Sequence, residues 1–278
     1  LYRTEFLFLQ RNELPDEDEQ FRIYRDVVLG MSGRPVTIRT LDLGADKADR
    51  SGLVLENEDN PALGLRGVRL SLANGDLFDT QLRAIVRASG YGPVRVLVPM
   101  ISNREEIVAV RKRLKRVADK LRKEGAEVAD DIPLGAMIEV PAAAIALHAF
   151  VDIVDFLSIG TNDLVQYLLA ADRNNDALGE LYSPLNPGVV RLLKHIINVA
   201  NEHDTPVAVC GEIAGDAALA PLLLALGLTE FSLHPATLLE VRKAIRGSDL
   251  SALKARMPKL LQARDRAGIE SWLKSASM

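Results

Sequence analysis

The chain has 278 residues, 48% of them hydrophobic, with 34 basic against 38 acidic side chains and a formal net charge of −4. That apolar content is ample for one large core over residues 1–278, and the slight acidic excess argues against a nucleic-acid partner. The apolar runs, Leu222 to Leu226 among them, are far too short to span a membrane, and a single cysteine, Cys210, excludes an internal disulfide and suits a reducing cytosol.

Apolar runs alternate with helical patterns along the chain. The opening Leu1-Tyr2 reads as the end of a truncated first strand, and the absence of an initiator methionine reads as a fragment of a longer polypeptide. Further strands are expected at Val36–Leu41, Gly67–Leu70, Val94–Met100, Leu134–Val140, Phe156–Gly160, Val207–Gly211 and Glu230–Leu233, eight in all. Their apolar residues are continuous rather than alternating, as in parallel strands covered on both faces. Phe78, Leu82, Ile85 and Val86 mark a helix after the third strand. Ser102 and Glu105 form a capping box before Ile107, Val110, Leu114, Val117 and Leu121, whose spacing is helical, and Gly125 can end that helix. Its basic run, Arg111 to Lys123, reads as a solvated face. Val189, Leu192, Leu193, Ile196 and Ile197 predict another helix, and Asp249 to Ala263 a terminal one capped by Ser248 or Asp249. The polar stretch from Ala45 to Pro61 reads as an extended loop. This rhythm predicts an α/β fold, a (β/α)8 TIM barrel with its first strand truncated.

Such a barrel carries its site where the strands deliver their C-terminal ends. Those ends hold Arg3, Arg39 with Asp42, Arg66 and Arg69, Glu139, Asn162 with Asp163, and Cys210 with Glu212. Glu139 and Asp163 stand on consecutive strand ends, and two carboxylates there suit Mg²⁺, which takes few protein ligands and leaves room for water and substrate oxygens. Taken singly, each carboxylate has a plainer role, Glu139 as an arginine partner and Asp163 as the cap of a helix beginning at Leu164. Arg3, Arg39, Arg66 and Arg173 offer paired donors matched to phosphate or carboxylate, or else pair with Glu5, Asp42 and Asp172. Lys47 adds either a point charge toward phosphate or an ordinary loop lysine. Cys210 is either a small core hydrophobe or a proton donor at a strand end. The four histidines show no metal-like spacing.

Six segments, taken together, resemble one family: Leu1-Tyr2-Arg3-Thr4-Glu5-Phe6-Leu7, Ile38-Arg39-Thr40-Leu41-Asp42, Asn60 through Arg66, Ile138-Glu139-Val140-Pro141-Ala142, Gly160-Thr161-Asn162-Asp163-Leu164, and Cys210-Gly211-Glu212-Ile213-Ala214-Gly215-Asp216. They are similar to the phosphoenolpyruvate-binding barrel of enzyme I of the bacterial phosphotransferase system, which pyruvate phosphate dikinase and phosphoenolpyruvate synthase share. The resemblance runs from residue 1 to about Arg246. It implies that Glu139 and Asp163 ligate Mg²⁺, that Arg3, Arg39, Arg173 and Asn162 hold phosphoenolpyruvate, that Arg66 faces the enolate oxygen, and that Cys210 protonates the enolate carbon to give pyruvate.

The family's phosphate acceptor is a histidine on a separate N-terminal domain, and none of the four histidines here lies in that motif. The resemblance therefore implies a cytoplasmic phosphotransferase domain that binds phosphoenolpyruvate. Its acceptor domain and its contact with an HPr-like carrier protein are expected upstream. Ala45 in Leu43-Gly44-Ala45-Asp46-Lys47, with Asp172-Arg173-Asn174-Asn175, leans toward the nitrogen-related paralogue. A homodimer is expected, with the Leu- and Ala-rich stretch from Leu219 to Leu228 as a candidate surface. The alternatives are a dikinase or synthase barrel, a non-catalytic metabolite-sensing dimerisation module, and a generic Mg²⁺-dependent aldolase or lyase.

Overall fold

The computed structural model describes residues 1–9, 13–44 and 58–276. They form two compact units, Leu1–Met137 with Ile153–Asp155, and Ile138–Asp152 with Phe156–Met278.

The first unit is an α/β layer on four parallel strands in sequence order: β1 (Tyr2–Arg3), β2 (Val36–Arg39), β3 (Val94–Val98) and β4 (Leu134–Ile138), whose last residue belongs to the second unit. Its helices are α1 (Glu17–Gly30), α2 (Val68–Ala73), α3 (Gly75–Ala88) and α4 (Arg104–Lys123). β4 is buried and apolar throughout, and Ile38, Val96, Leu97 and Leu134 are fully buried, so helices must cover these strands. Asp16 caps α1 by accepting from the Glu19 N–H at 2.7 Å. In α4, Ile107, Val110, Leu114, Val117 and Leu121 are buried and Lys112, Lys115, Arg116, Lys120, Arg122 and Lys123 are exposed, as the sequence predicts, but Arg113 is largely covered, pairing with Asp79 at 3.1 Å and lying over the Phe78 ring.

Two readings change here. Gly67–Leu70 is not a strand. Gly67 stands at φ +57, the Val68 N–H donates to the Pro99 carbonyl at 3.1 Å, and the Ser71 N–H closes a helical turn on the Gly67 carbonyl. A Cβ at Gly67 would lie 2.7 Å from the Met100 Cγ, so glycine is what lets this backbone approach the loop after β3. The run therefore turns into α2, and the helix on Phe78, Leu82, Ile85 and Val86 follows another helix, not a third strand. The α4 capping box is also one residue on: Asn103 accepts from the Glu106 N–H at 3.0 Å, and Glu106 accepts from the backbone of Asn103 and of Ser102.

The second unit has three parallel strands in sequence order. They are β5 (Phe156–Gly160), with the bounds the sequence predicts, then β6 (Val207–Cys210) and β7 (Glu230–Phe231). Its helices are α5 (Pro141–Ile145), α6 (Thr161–Leu169), α7 (Pro187–Glu202), α8 (Ala220–Leu226), α9 (Leu238–Gly247), α10 (Leu250–Leu261) and α11 (Arg266–Ala276). Asp249 caps α10 through the N–H groups of Ser251 and Ala252. The expected terminal helix is followed by α11, whose Trp272 donates from Nε1 to the Arg256 carbonyl at 3.0 Å. Helix α8 is buried along its whole length against α7, α9, α10 and α11. The stretch expected as a dimerisation surface is core, because its apolar residues occupy every face of the helix.

The described residues thus contain seven strands rather than eight, and the strand pairings within each unit are parallel. No described helix is long and apolar enough to cross a membrane.

Candidate functional site

The arginines of the first unit sit on a chain of buried carboxylates. The β1–β2 register places Arg3 beside Arg39 at the C-terminal ends of both strands. Glu5 Oε1 accepts from Arg3 Nε and from Arg39 Nη2, each at 2.7 Å. Asp42 lies 3.1 Å from Arg39 Nη1, and its two oxygens accept from Arg66 Nη2 at 3.1 Å. Three guanidinium groups on two carboxylates leave one formal positive charge in a region where Glu5, Arg39 and Asp42 are each under a tenth exposed. Such a chain fixes cations before any anion arrives, at a desolvation cost that only mutual pairing offsets.

The backbone beneath is braced as well. Thr4 Oγ1 donates to the Arg39 carbonyl at 2.8 Å, and Gln81 of α3 donates to Thr4 Oγ1 while accepting from the Leu41 N–H at 2.9 Å. Gln81 has no signal in the sequence, because a lone glutamine on an amphipathic helix carries no motif. Arg66 lies in the turn ahead of α2 rather than at a strand end. Lys47 lies outside the described residues.

In the second unit the turn from β5 into α6 meets the end of β6. Thr161 Oγ1 donates to the Cys210 carbonyl at 2.9 Å, and the Glu212 N–H donates to Asn162 Oδ1 at 3.0 Å. With Oδ1 so engaged, the Asn162 amide has its Nδ2 donors to offer an anion. The approach requires Gly211, at φ +101: a Cβ there would lie 2.4 Å from Thr161 Oγ1 and 2.7 Å from Asn162 Oδ1. Tyr182 donates from its hydroxyl to the Asn162 carbonyl at 3.0 Å. Burial raises the Tyr182 pKa above its ordinary value, opposed by the neighbouring Arg173 and reinforced by Glu212 and Asp163.

Asp163 falls inside the first turn of α6, which begins at Thr161 and not at Leu164, so it does not act as the helix cap. Arg173 Nη1 lies 3.3 Å from Asp163 Oδ1 rather than on Asp172, and the Arg173 N–H donates to Gln166 Oε1 at 3.2 Å. Glu139, just beyond β4, is 1% exposed, and Asp163 is 6% exposed. Buried carboxylate oxygens are the donor type that a hard divalent cation takes, so these residues fit magnesium chemically. Among the described residues no three acids, cysteines or histidines cluster, and an ion held here would complete its shell with water and substrate oxygens. The Cys210 thiol is buried, donates to the Ile159 carbonyl at 3.3 Å and accepts from Ser158 Oγ at 3.2 Å.

Residues 1–250 match the family described as PEP-utilising enzyme, PEP-binding domain. The chain belongs to this family of phosphoenolpyruvate-binding domains. Relatives named phosphoenolpyruvate-protein phosphotransferase include one from Cupriavidus necator, 49% identical over 267 residues, covering 95% of this chain and 46% of that protein. One from Listeria monocytogenes is 48% identical, covering 91% and 44%, and one from Priestia megaterium 43% identical, covering 99% and 48%. The chain thus spans about half the length of the curated relatives it matches. A crystal structure of a citrate lyase from Burkholderia xenovorans aligns with a TM-score of 0.49 and 17% identity, covering 95% of this chain and 88% of that one.

Proposed function

We propose that residues 1–278 are the phosphoenolpyruvate-binding domain of a phosphoenolpyruvate–protein phosphotransferase of the enzyme I type, folded as a TIM-type barrel. The observation that carries this is the family match over residues 1–250, together with relatives of that name at 43–49% identity. The whole enzyme would pass the phosphoryl group to a histidine outside this sequence and release pyruvate. It would be cytoplasmic and homodimeric, and would serve an HPr-like carrier protein.

Arg3, Arg39 and Arg173, with Asn162, would bind the phosphate and carboxylate, and Lys47 would add a point charge. Breaking the bridging P–O bond leaves an enolate, and Arg66 would stabilise its oxygen. Mg²⁺ held by Glu139 and Asp163 would supply charge neutralisation of the phosphoryl oxygens when bound. Cys210 would deliver its thiol proton to the enolate carbon, the enolate electron pair forming the new C–H bond and sulfur keeping the S–H pair. The ion pairs on Glu5 and Asp42 support this reading because they hold the arginines ready.

The test is to incubate the full-length protein with phosphoenolpyruvate radiolabelled in its phosphate. Label on a histidine, matched by an equal amount of pyruvate, is expected. A folded protein that acquires no label overturns the proposal.

A further inference from the structure

We infer that Ser158 is a positioning residue for proton delivery by Cys210, its hydroxyl holding the sulfur and stabilising the thiolate that delivery leaves behind. This rests on the assignment of Cys210 as the proton donor made above.

Ser158 lies on β5 and Cys210 on β6, and the register pairs Ser158 with Ala208 and Gly160 with Cys210. Residues two apart share a face of the sheet, so both side chains emerge on the same side. Ser158 is 5% exposed and Cys210 7%. A buried serine in an otherwise apolar strand, Phe156-Leu157-Ser158-Ile159, needs a partner, and its hydroxyl donates to Cys210 Sγ at 3.2 Å.

Two contacts on the thiol act in opposite senses. The bond from the S–H to the Ile159 carbonyl at 3.3 Å favours the neutral thiol, because a carbonyl oxygen accepts a hydrogen bond from it and repels the thiolate. Burial favours the thiol too. The Ser158 hydroxyl is a donor aimed at sulfur, and it becomes a charge-assisted bond once the proton has left. When Cys210 gives its proton to the enolate carbon, the S–H breaks, the C–H forms and the charge comes to rest on sulfur. The S–H must first turn away from the Ile159 carbonyl. A sulfur also held by Ser158 turns its proton without shifting its own position. Solvent returns the proton to the thiolate before the next cycle.

The reverse step gives the assay. A domain that protonates the enolate also removes a methyl proton from pyruvate, so pyruvate in D2O with Mg²⁺ should exchange methyl hydrogen for deuterium, read by proton NMR. The wild-type chain, Cys210→Ala, Ser158→Ala and Ser158→Thr are compared. Ser158→Ala should lower the maximal exchange rate about tenfold or more, as expected for loss of a bond to an ionised group, with the pyruvate KM and the phosphoenolpyruvate Kd within about twofold of wild type. Ser158→Thr, which keeps a hydroxyl, should recover most of that rate. Wild-type exchange in Ser158→Ala overturns the inference, as does an equal loss in Ser158→Thr, which would assign the effect to packing. Undiminished exchange in Cys210→Ala would instead remove the proton-donor assignment and this inference with it.

Discussion

Replacing Gly211 with alanine should loosen the meeting of the β5–α6 turn with the β6 end, and the size of the effect follows from two sources. Gly211 has φ +101 and ψ −177, a region that side-chain-bearing residues enter at a cost of about 1–3 kcal/mol. The new Cβ would fall 2.4 Å from Thr161 Oγ1 and 2.7 Å from Asn162 Oδ1, so both side chains must rotate away. Each then loses its bond, Thr161 to the Cys210 carbonyl and Asn162 to the Glu212 N–H, at about 1 kcal/mol apiece. The sum is a destabilisation of about 3–5 kcal/mol. The single tryptophan, Trp272, is buried in α11 and reports unfolding of the second unit by fluorescence in a urea titration. Gly247→Ala serves as the control, because Gly247 ends α9 without a positive φ and a Cβ added there would meet nothing within 4 Å. That variant should be neutral or slightly more stable. A Gly211→Ala midpoint equivalent to less than about 1 kcal/mol of destabilisation would refute both the backbone and the contact argument.

Arg39→Ala removes the shared partner of Glu5 and Asp42, both buried, and should cost about 3–5 kcal/mol in urea unfolding followed by circular dichroism; a loss under about 1 kcal/mol would mean that the two acids are stable without it. Tyr182→Phe deletes one hydroxyl bond to the Asn162 carbonyl and should weaken phosphoenolpyruvate binding about fivefold by calorimetry, with a melting temperature lowered by no more than about 2–4 °C. Unchanged affinity would separate Tyr182 from the ligand. Burial raises the Tyr24 pKa well above its ordinary value, so the folded state favours the neutral phenol. Its contribution is complete below the unfolded pKa near 10 and is lost as pH rises beyond it, so the circular-dichroism midpoint of the first unit should fall above about pH 10. Tyr24→Phe should flatten that decline, and an equal decline in the variant would assign it elsewhere.

Much of the architecture is legible because buried parallel strands leave continuous apolar runs. Phe156–Gly160 is the clearest, its bounds set by Asp155 before it and Thr161 after it. Gly67–Leu70 misleads for the same reason. Four residues with Val68 and Leu70 fit a buried strand as well as a helical turn, and only the positive φ of Gly67 decides between them. The capping box slips by one because Ser102 and Asn103 are both competent caps and are followed by two adjacent glutamates, Glu105 and Glu106. Helix α8 misleads in another way: Leu222, Leu223, Leu224 and Leu226 look available to a partner chain until α7, α9, α10 and α11 cover every face of the helix.

At the candidate site, chemistry-bearing residue types at strand ends are visible in the sequence, and so are Glu5 and Asp42 as arginine partners; which arginine meets which acid is not. The Arg39–Asp42 pair is local, three residues apart, whereas the pairing of Arg39 with Glu5 depends on strand register, and that of Arg173 with Asp163 on a loop that doubles back after α6. Ser158, Thr161, Gln166 and Tyr182 act by hydrogen bonds to backbone or to one neighbouring atom. Such roles carry no composition signal. For Ser158 the interruption of an apolar strand by one hydroxyl was the available clue.

Titration calorimetry of the chain with phosphoenolpyruvate tests the central claim most directly, run with and without Mg²⁺ on wild type, Glu139→Ala and Asp163→Ala. The account predicts saturable one-to-one binding by wild type that requires the metal, and a metal requirement weakened or abolished in both variants. A folded wild-type chain that takes up no phosphoenolpyruvate at saturating Mg²⁺, or variants whose metal titrations match wild type, would contradict it.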